Sequence, residues 1–457
     1  MVSAAASQLL QQLRAELEAI PANRYWVACS GGIDSHVLLH AMAALRPQLS
    51  ATVNAVHVNH GLNPAAGEWA AHVISLCDSL SIPCHLFNVD ARPGRGESPE
   101  AAARDARYHH FSQLIEEGDV LLTAHHQEDQ AETLLLQLLR GAGPHGLAAM
   151  PLVAPFSAGQ LARPLLKTAQ ALINGYAQER SLHWIEDPSN QERGFERNYL
   201  RHDVVPLLKA HWPAFSKTVS RAAAHCAEAA GLLDELAAED LRRLSGGVGE
   251  QLPTAQISLD GLRQLTPERR RNVIRFWIKQ SSLPIVSTKI MDQISTSLIT
   301  ARDDAAPLVR WSGGELRRYR EHLYAMAPLE PFDPSQQFRW RWQEGALELP
   351  AAIGRVVAQA HVATNGDSGG EGLSRTQCEQ QPLSVRFRQG GERCRLPGRT
   401  QHHQLKGLLQ QAGVPPWQRD RIPLIYLGEQ LAAVVGYFYC APFQAKGGEA
   451  RVTFALH

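Results

Sequence analysis

Short segments of this 457-residue chain concentrate residue types that act on phosphates and amines. In Ser30-Gly31-Gly32-Ile33-Asp34-Ser35, two glycines without a Cβ let the backbone approach an anion. The helix start expected behind them supplies unpaired N–H donors and partial positive charge. Ser35 is placed to cap that helix while its hydroxyl reaches a phosphate, and Asp34 on its own reads as a cap. A GxxxxGK[ST] motif, whose lysine serves the β- and γ-phosphates in a P-loop, is missing from the sequence. A second segment, Thr123 to Thr133 (TAHHQEDQAET), reads as a helix start. There His125, Glu128, Asp129 and Glu132 share a polar stripe beside an apolar one of Ala131, Leu134, Leu135 and Leu138. Those acids are either solvated groups stabilised by the helix dipole or an ammonium site in which Asp129 and Glu132 receive an amine. His57 with His60, or His125 with His126, offers nitrogen ligands, but no HExxH or equivalent completes a zinc site. His125 is expected to contact nucleotide or substrate, and Asn59 and His60 to border the same site.

These residues need elements to position them. Tyr25 to Cys29, Val53 to Val58, Cys84 to Val89 and Val120 to Ala124 are short β-prone runs, and helical patterns separate them. The helical face Leu38, Ala41, Met42 and Leu45 follows the glycines. Further helices are expected over 65–80, 100–117 and up to about Arg140. Strands separated by helices imply a parallel sheet with right-handed crossovers, whose ligands sit at the carboxyl ends of strands. The fold class expected is therefore α/β: a parallel-sheet, Rossmann-like nucleotide-binding domain, then a helical domain and a small α+β C-terminal domain. Residues 1–215 form the first and 216–362 the second, which is mostly helical with some strand toward its end. A linker of Gly, Ser, Thr and Gln at 363–382 precedes the last, 383–457. Residues 245–253 read as a shorter linker inside the second.

Lys plus Arg number 45 and Asp plus Glu 45, which excludes a uniformly basic nucleic-acid coat and an acidic tail protein but not segregated charge. From Arg386 to Arg421 there are eight Lys or Arg against two acids, a local balance of +6, with Trp417, His402 and His403 interleaved. Arg269, Arg270, Arg271 and Arg275 form another basic cluster on an expected helix, where a solvated face is the simpler reading. The seven cysteines are scattered without a CxxC pair, which argues against a disulfide framework or a clustered metal site. The N-terminal Leu9, Leu10, Leu13, Leu17 and Ile20 fall at helical spacing. No run approaches the roughly 20 apolar residues of a membrane span, so a cytoplasmic protein that does not span a membrane is expected.

SGGIDS resembles the pyrophosphate-binding loop of the N-type ATP pyrophosphatases, which activate an oxygen as its adenylate. HVNHGL at 57–62, the 123–133 segment, RGAGPHGLAAM at 140–150, RPLL at 163–166, DPSN at 187–190, RNYLR at 197–201 and residues 405–426 narrow this further. Together they closely resemble the tRNA(Ile)-lysidine synthetase family. The resemblance implies ATP as substrate, bound by Ser30, Gly31, Gly32, Ile33, Asp34, Ser35, Asn59, His60 and His125, with Mg2+ at Asp34. It implies L-lysine held by Asp129 and Glu132, and catalytic roles for Asp34, Asp129, Glu132 and Arg197. The RNA would be an isoleucine tRNA with a CAU anticodon. Family likeness and local charge together put Arg386, Arg388, Arg393, Arg395, Lys406, Trp417, Arg419 and Arg421 on it. A homodimer is compatible with the sequence. The family's usual pattern has two aspartates in a row where this chain has Glu128-Asp129. Arg197 and Arg201, one helical turn apart, have a local alternative in pairing with Glu196 or Asp203. Two further readings stay open: tRNA thiolation on the same scaffold, with Cys29 beside the loop, and an RNA-binding protein with an inactive nucleotide domain.

Overall fold

The computed structural model describes residues 4–61, 63–89, 99–245, 256–302, 307–350, 353–362 and 371–457. The chain divides into two compact units, residues 1–236 and 237–457.

The first unit runs α1 (Ala4–Glu18), β1 (Arg24–Ala28), α2 (Ile33–Leu45), β2 (Thr52–Asn59), α3 (Ala66–Ser79), β3 (Cys84–Asn88), α4 (Pro99–Leu114), β4 (Asp119–Leu122) and α5 (Gln127–Leu139). A one-turn α6 (Pro144–Leu147), a hairpin β5 (Val153–Phe156) and β6 (Gly159–Ala162), α7 (Gln170–Glu179), α8 (Glu196–Tyr199), α9 (Val205–His211) and α10 (Phe215–Leu244) follow, α10 running on past the first unit's end. The sheet order is β3-β2-β1-β4-β6-β5, parallel except for β5. Its central strands β1, β2 and β4 are largely buried because helices cover both faces. Tyr25 and Val27 pack with Leu9, Leu13 and Val37 on one face, while Trp26 pairs with Val56, Phe111 and Ile115 on the other. The α/β reading and the four parallel strands expected from the sequence are borne out. The chain leaves β1 toward β2 on one side and returns through β4 on the other. The turns after β1 and β4 therefore lie side by side at the topological switch point, where such sheets bind ligands. The two chemistry-bearing segments of the sequence occupy those two turns.

In the second unit the helix Pro267–Gln280 buries Val273, Ile274 and Trp277 against a sheet ordered Gln256–Ser258, His322–Met326, Gly314–Tyr319 and Leu308–Trp311. A five-stranded and a four-stranded sheet follow. Strands Gln337–Trp340 and Gly354–His361, read from sequence into the middle region, pair with Leu383–Arg386 and Arg451–Leu456. These sheets thus begin before the stretch at 363–382, not after it. Within that stretch Leu373–Ser374 is a strand and Arg375–Gln380 a helix, with Leu373 and Cys378 in the core. Gly and Ser richness was a poor guide there because the two apolar anchors are spaced too far apart to form a run. Residues 363–370, and the expected linker at 245–253 apart from its first residue, lie outside the described residues.

Candidate active site

The turn after β1 folds as strand, glycine turn and helix. Gly31 has φ +91°, a conformation that favours glycine, and its carbonyl accepts the N–H of Ile185 at 3.0 Å. Gly32, not Ser35, stands at the N-cap of α2, and no side chain caps it. Ser35 lies inside the first turn and braces the loop instead: its hydroxyl donates to the Gly32 carbonyl at 3.0 Å and accepts the Ser30 N–H at 3.1 Å. The N–H groups of that first turn have no intrahelical partner, the feature by which helix starts attract anions. Asp34 is in the same turn. Its Oδ1 is buried and unpartnered, and its Oδ2 lies 3.7 Å from Nε2 of His126.

The turn after β4 delivers His125 and His126 to the start of α5. The His126 imidazole caps that helix: the Glu128 N–H donates to Nδ1 at 3.2 Å, and the Asp129 carboxylate returns the bond by accepting the His126 N–H at 3.0 Å. Burial lowers the pKa of His126, but Asp34, Glu128 and Asp129 outweigh it and push it up to about 10. In the neutral ring Nδ1 accepts the Glu128 N–H and Nε2 carries the proton; in the charged ring both nitrogens carry one, and Nδ1 has the Glu128 carboxylate 3.4 Å away to receive it.

One turn further along α5, Asp129 and Glu132 meet two arginines. Arg197 donates to Asp129 Oδ1 at 2.8 Å and to Glu132 Oε2 at 2.9 Å. Arg201 donates to Asp129 Oδ1 at 3.0 Å and to both Glu132 oxygens at 2.8 Å. Each acid is thus shared by both guanidiniums. Burial raises the Asp129 pKa, and the charges of His126 and Arg197 overcome that to hold it below the ordinary value. Burial likewise disfavours the Arg201 cation, and Glu132 more than restores it. The local partners open to the arginines in sequence are taken elsewhere, Glu196 by Arg140 and Asp203 by Arg193. Asp129 and Glu132 are therefore each ion-paired as the acidic half of an acid–base quartet.

The two turns open on one cleft of about 940 Å3, lined by Ser30, Gly32, Ile33, Asp34, Ser35, Asn59, His60, His125, Asp129 and Arg201 among others. Gly31 is buried, as is Glu132, and Arg197 stands behind Asp129. Asn59 also shapes its own turn, accepting the Gly61 N–H at 3.0 Å. Burial lowers the pKa of His57 and His60, and lowers that of His125 to about 4 against the pull of Asp129. These rings are neutral at pH 7, with His57 tied to the Cys29 carbonyl at 2.7 Å. Among the described residues no group of three or more His, Cys, Asp or Glu is arranged to hold a metal ion. Sequence reasoning missed Trp69, Arg104, Arg107, Tyr108 and Trp184, which also line the cleft. The arginines had a usable signal: spaced i, i+3 on the helix after β3, they share the face turned to the strand ends.

Family models match three stretches: a PP-loop domain over residues 3–208, a TilS substrate binding domain over 257–324 and a TilS substrate C-terminal domain over 383–456. The tRNA(Ile)-lysidine synthase of Coxiella burnetii is 43% identical over 427 residues, 93% of this chain and 92% of the relative. The chain belongs to the tRNA(Ile)-lysidine synthase family. The synthase of Methylococcus capsulatus is 40% identical over 98% of both chains. Membership in this synthase family makes the chain an ATP-using ligase, and its PP-loop domain is the one built around the cleft.

The C-terminal basic residues, which the synthase resemblance put on RNA, separate into distinct groups. Arg386 is paired with Glu429 at 2.8 Å and Arg388 with Asp420 at 2.6 Å. Arg419 is turned inward, only 9% exposed, donating to the Val414 carbonyl and the Tyr319 hydroxyl. Trp417 packs edge-on to Tyr324 at 5.3 Å with the Arg317 guanidinium 5.1 Å from its ring. It belongs to a half-buried aromatic cluster with Tyr319 and Tyr324, which come from strands distant in sequence. Arg421 donates to the Glu330 carbonyl. Arg395 is half-buried, whereas Arg393, Arg399 and Lys406 are exposed. Of the other cluster, Arg269 is tied to the buried Asp240 at 2.6 Å and Arg270 to the Leu262 carbonyl at 2.9 Å, so these cations hold the fold together.

Proposed function

We propose that this chain joins L-lysine to C2 of the wobble cytidine of a tRNA(Ile) with a CAU anticodon, converting it to lysidine and ATP to AMP and pyrophosphate. Work on that RNA assigns it to the cytoplasm. Among the described residues no helix is long and apolar enough to cross a membrane. One observation carries the reading: a phosphate loop and, through Asp129 and Arg201, an acid–arginine quartet open on a single cleft at the switch point of the sheet. The cytosine 2-carbonyl oxygen attacks the α-phosphorus of ATP, and pyrophosphate leaves into the turn formed by residues 30–35. The lysine ε-amine then attacks C2, and AMP departs. A free lysine amine has a pKa of about 10.4, so presenting it neutral at pH 7 costs roughly 4.6 kcal/mol. Carboxylates alone would hold the ammonium. In the quartet the acids are already neutralised by two guanidiniums, so an entering zwitterion finds partners for both signs: Arg197 or Arg201 for its carboxylate, Asp129 and Glu132 for amines.

Mg2+ fits the loop through Asp34, whose buried, unpartnered Oδ1 is the kind of lone carboxylate oxygen that magnesium takes beside phosphate oxygens. Bound there, it would neutralise charge on the departing pyrophosphate. Thiolation has no carrier at Cys29, which is 2% exposed and whose thiol burial pushes up to about 11.

The test is to incubate the protein with ATP, Mg2+, labelled lysine and tRNA bearing CAU. Lysine is expected in the RNA with stoichiometric AMP. Asp129→Asn should raise the Michaelis constant for lysine by about tenfold or more, the loss of one charge-assisted contact. If the constant and the turnover both stay put, Asp129 does not hold lysine.

A further inference from the structure

The turn after β4 contains a side chain that no catalytic or binding role has claimed. His126 is 2% exposed and lies between the two halves of the cleft. Its Nε2 is 3.7 Å from Asp34 Oδ2, on the phosphate loop, and 3.4 Å from Asp129 Oδ2, on α5. Both carboxylates divide their labour in the same way. Asp129 turns Oδ1 to Arg197 and Arg201 and Oδ2 to His126. Asp34 turns Oδ2 to His126 and leaves Oδ1 unpartnered. One N–H therefore stands between two negative charges on elements joined to different strands, where they would otherwise repel each other. The ring cannot rotate away, because Nδ1 is held by Glu128 in either protonation state, through its N–H at 3.2 Å or its carboxylate at 3.4 Å, and buried surroundings fix its plane.

We infer that His126 is a positioning residue: it sets the spacing between Asp34 and Asp129, and so between the pyrophosphate end and the lysine end of the cleft. The inference rests on the lysidine-forming reading for its activity assay, though the geometry it describes does not. The two ring nitrogens have separate tasks, which two substitutions separate. In His126→Asn the amide oxygen falls near the place of Nδ1 and keeps the helix cap, while nothing reaches the carboxylates. In His126→Gln the amide nitrogen falls near the place of Nε2 and keeps the donor, while the cap is poor.

If spacing matters for catalysis, Asn should leave the melting temperature within about 3 °C of the parent. It should nevertheless slow tRNA-dependent pyrophosphate release at saturating ATP by about tenfold or more, as a small misplacement of reacting groups does. Gln should melt lower yet keep a rate within about threefold of the parent. A crystal structure of the Asn variant gives a readout independent of activity: Asp34 Oδ2 and Asp129 Oδ2 should move apart. A parent protein that fails to add lysine to tRNA would sink the lysidine reading while leaving this structural readout to decide the tether. Asn with parental rate and an unchanged carboxylate spacing would overturn the inference. So would rates in both variants that merely follow their loss of stability.

Discussion

Glu128 stands where the family resemblance leads one to expect aspartate, and its extra methylene has a use. Its carboxylate accepts the Gln170 N–H at 2.9 Å and Lys209 Nζ at 3.2 Å, and lies 3.4 Å from His126 Nδ1, so one side chain joins α5, α7 and α9. Those partners lie 42 and 81 residues away, which is why no local pattern disclosed them. Burial would raise the Glu128 pKa, but His126, the Gln170 N–H and Lys209 outweigh it and bring it down to about 2 from 4.5. A folded-state pKa below the unfolded one stabilises above the unfolded value, and that contribution is lost as pH falls from about 4.5 toward 2. The shift corresponds to a contribution on the order of 2–3 kcal/mol. Glu128→Gln should therefore lose roughly that much stability at pH 7 and show a shallower acid-side decline than the parent. Urea midpoints at pH 7 and pH 3 check it: a gap between the two proteins that fails to narrow at the lower pH contradicts the assignment.

The element scale was the most legible. The apolar runs at 25–29, 53–58, 84–89 and 120–124 lie within a few residues of β1 to β4; β1, β2 and β4 are largely buried and so have an apolar signature, whereas β3 is a half-buried edge strand with a weaker one. The hairpin of β5 and β6 has no such run: it lies at the sheet edge, and much of it is only half-buried. Arg197 and Arg201 share one difficulty with Glu128, since sequence shows the neighbours of a helix turn and not the helix packed across from it. The glycine turn, by contrast, was readable as a turn between strand and helix, though not in its cap, and its two glycines are not equivalent. At Gly31 the positive φ disfavours any side chain, and a Cβ would meet Ile185 Cδ1 at 2.6 Å. At Gly32 φ is −71° and a Cβ would make only an ordinary 3.6 Å contact with Ser30 Oγ. Gly31→Ala should cost about 1–2 kcal/mol and displace the loop from its anion-binding shape. Gly32→Ala should cost only a few tenths of a kcal/mol as an N-cap change that removes no side-chain bond. Thermal melts with and without ATP separate them: Gly31→Ala should melt lower and lose most of the ATP-induced rise. Equal behaviour of the two variants would mean that the left-handed turn is not what shapes the loop.

For the whole molecule, equal numbers of acids and bases conceal an uneven disposition, though a less simple one than a basic C-terminal end and an acidic cleft. Asp129 and Glu132 are neutralised by arginines from the same unit, and much of the +6 stretch from 386 to 421 is engaged within its own. Arg386 and Arg388 would have to exchange a carboxylate for a phosphate, gaining little, and Arg419 is inside. Arg393, Arg399 and Lys406 are exposed, so if this stretch holds the RNA, displacement of counterions would fall mainly to them. Replacing these three with alanine should reduce the magnitude of the slope of log affinity against log salt by about 2–3, near one unit per lost phosphate contact. Stability should stay within about 0.5 kcal/mol, as for surface substitutions. Arg419→Ala should do the reverse, lowering the melting temperature by leaving the Val414 carbonyl and Tyr319 hydroxyl without their donor while the salt slope stays nearly as it was. Filter-binding titrations of tRNA over a range of potassium chloride concentrations distinguish the two. A triple variant with the parental slope would show that RNA is gripped by the paired arginines or by another surface, and that charge exposure in the free protein does not mark the contact.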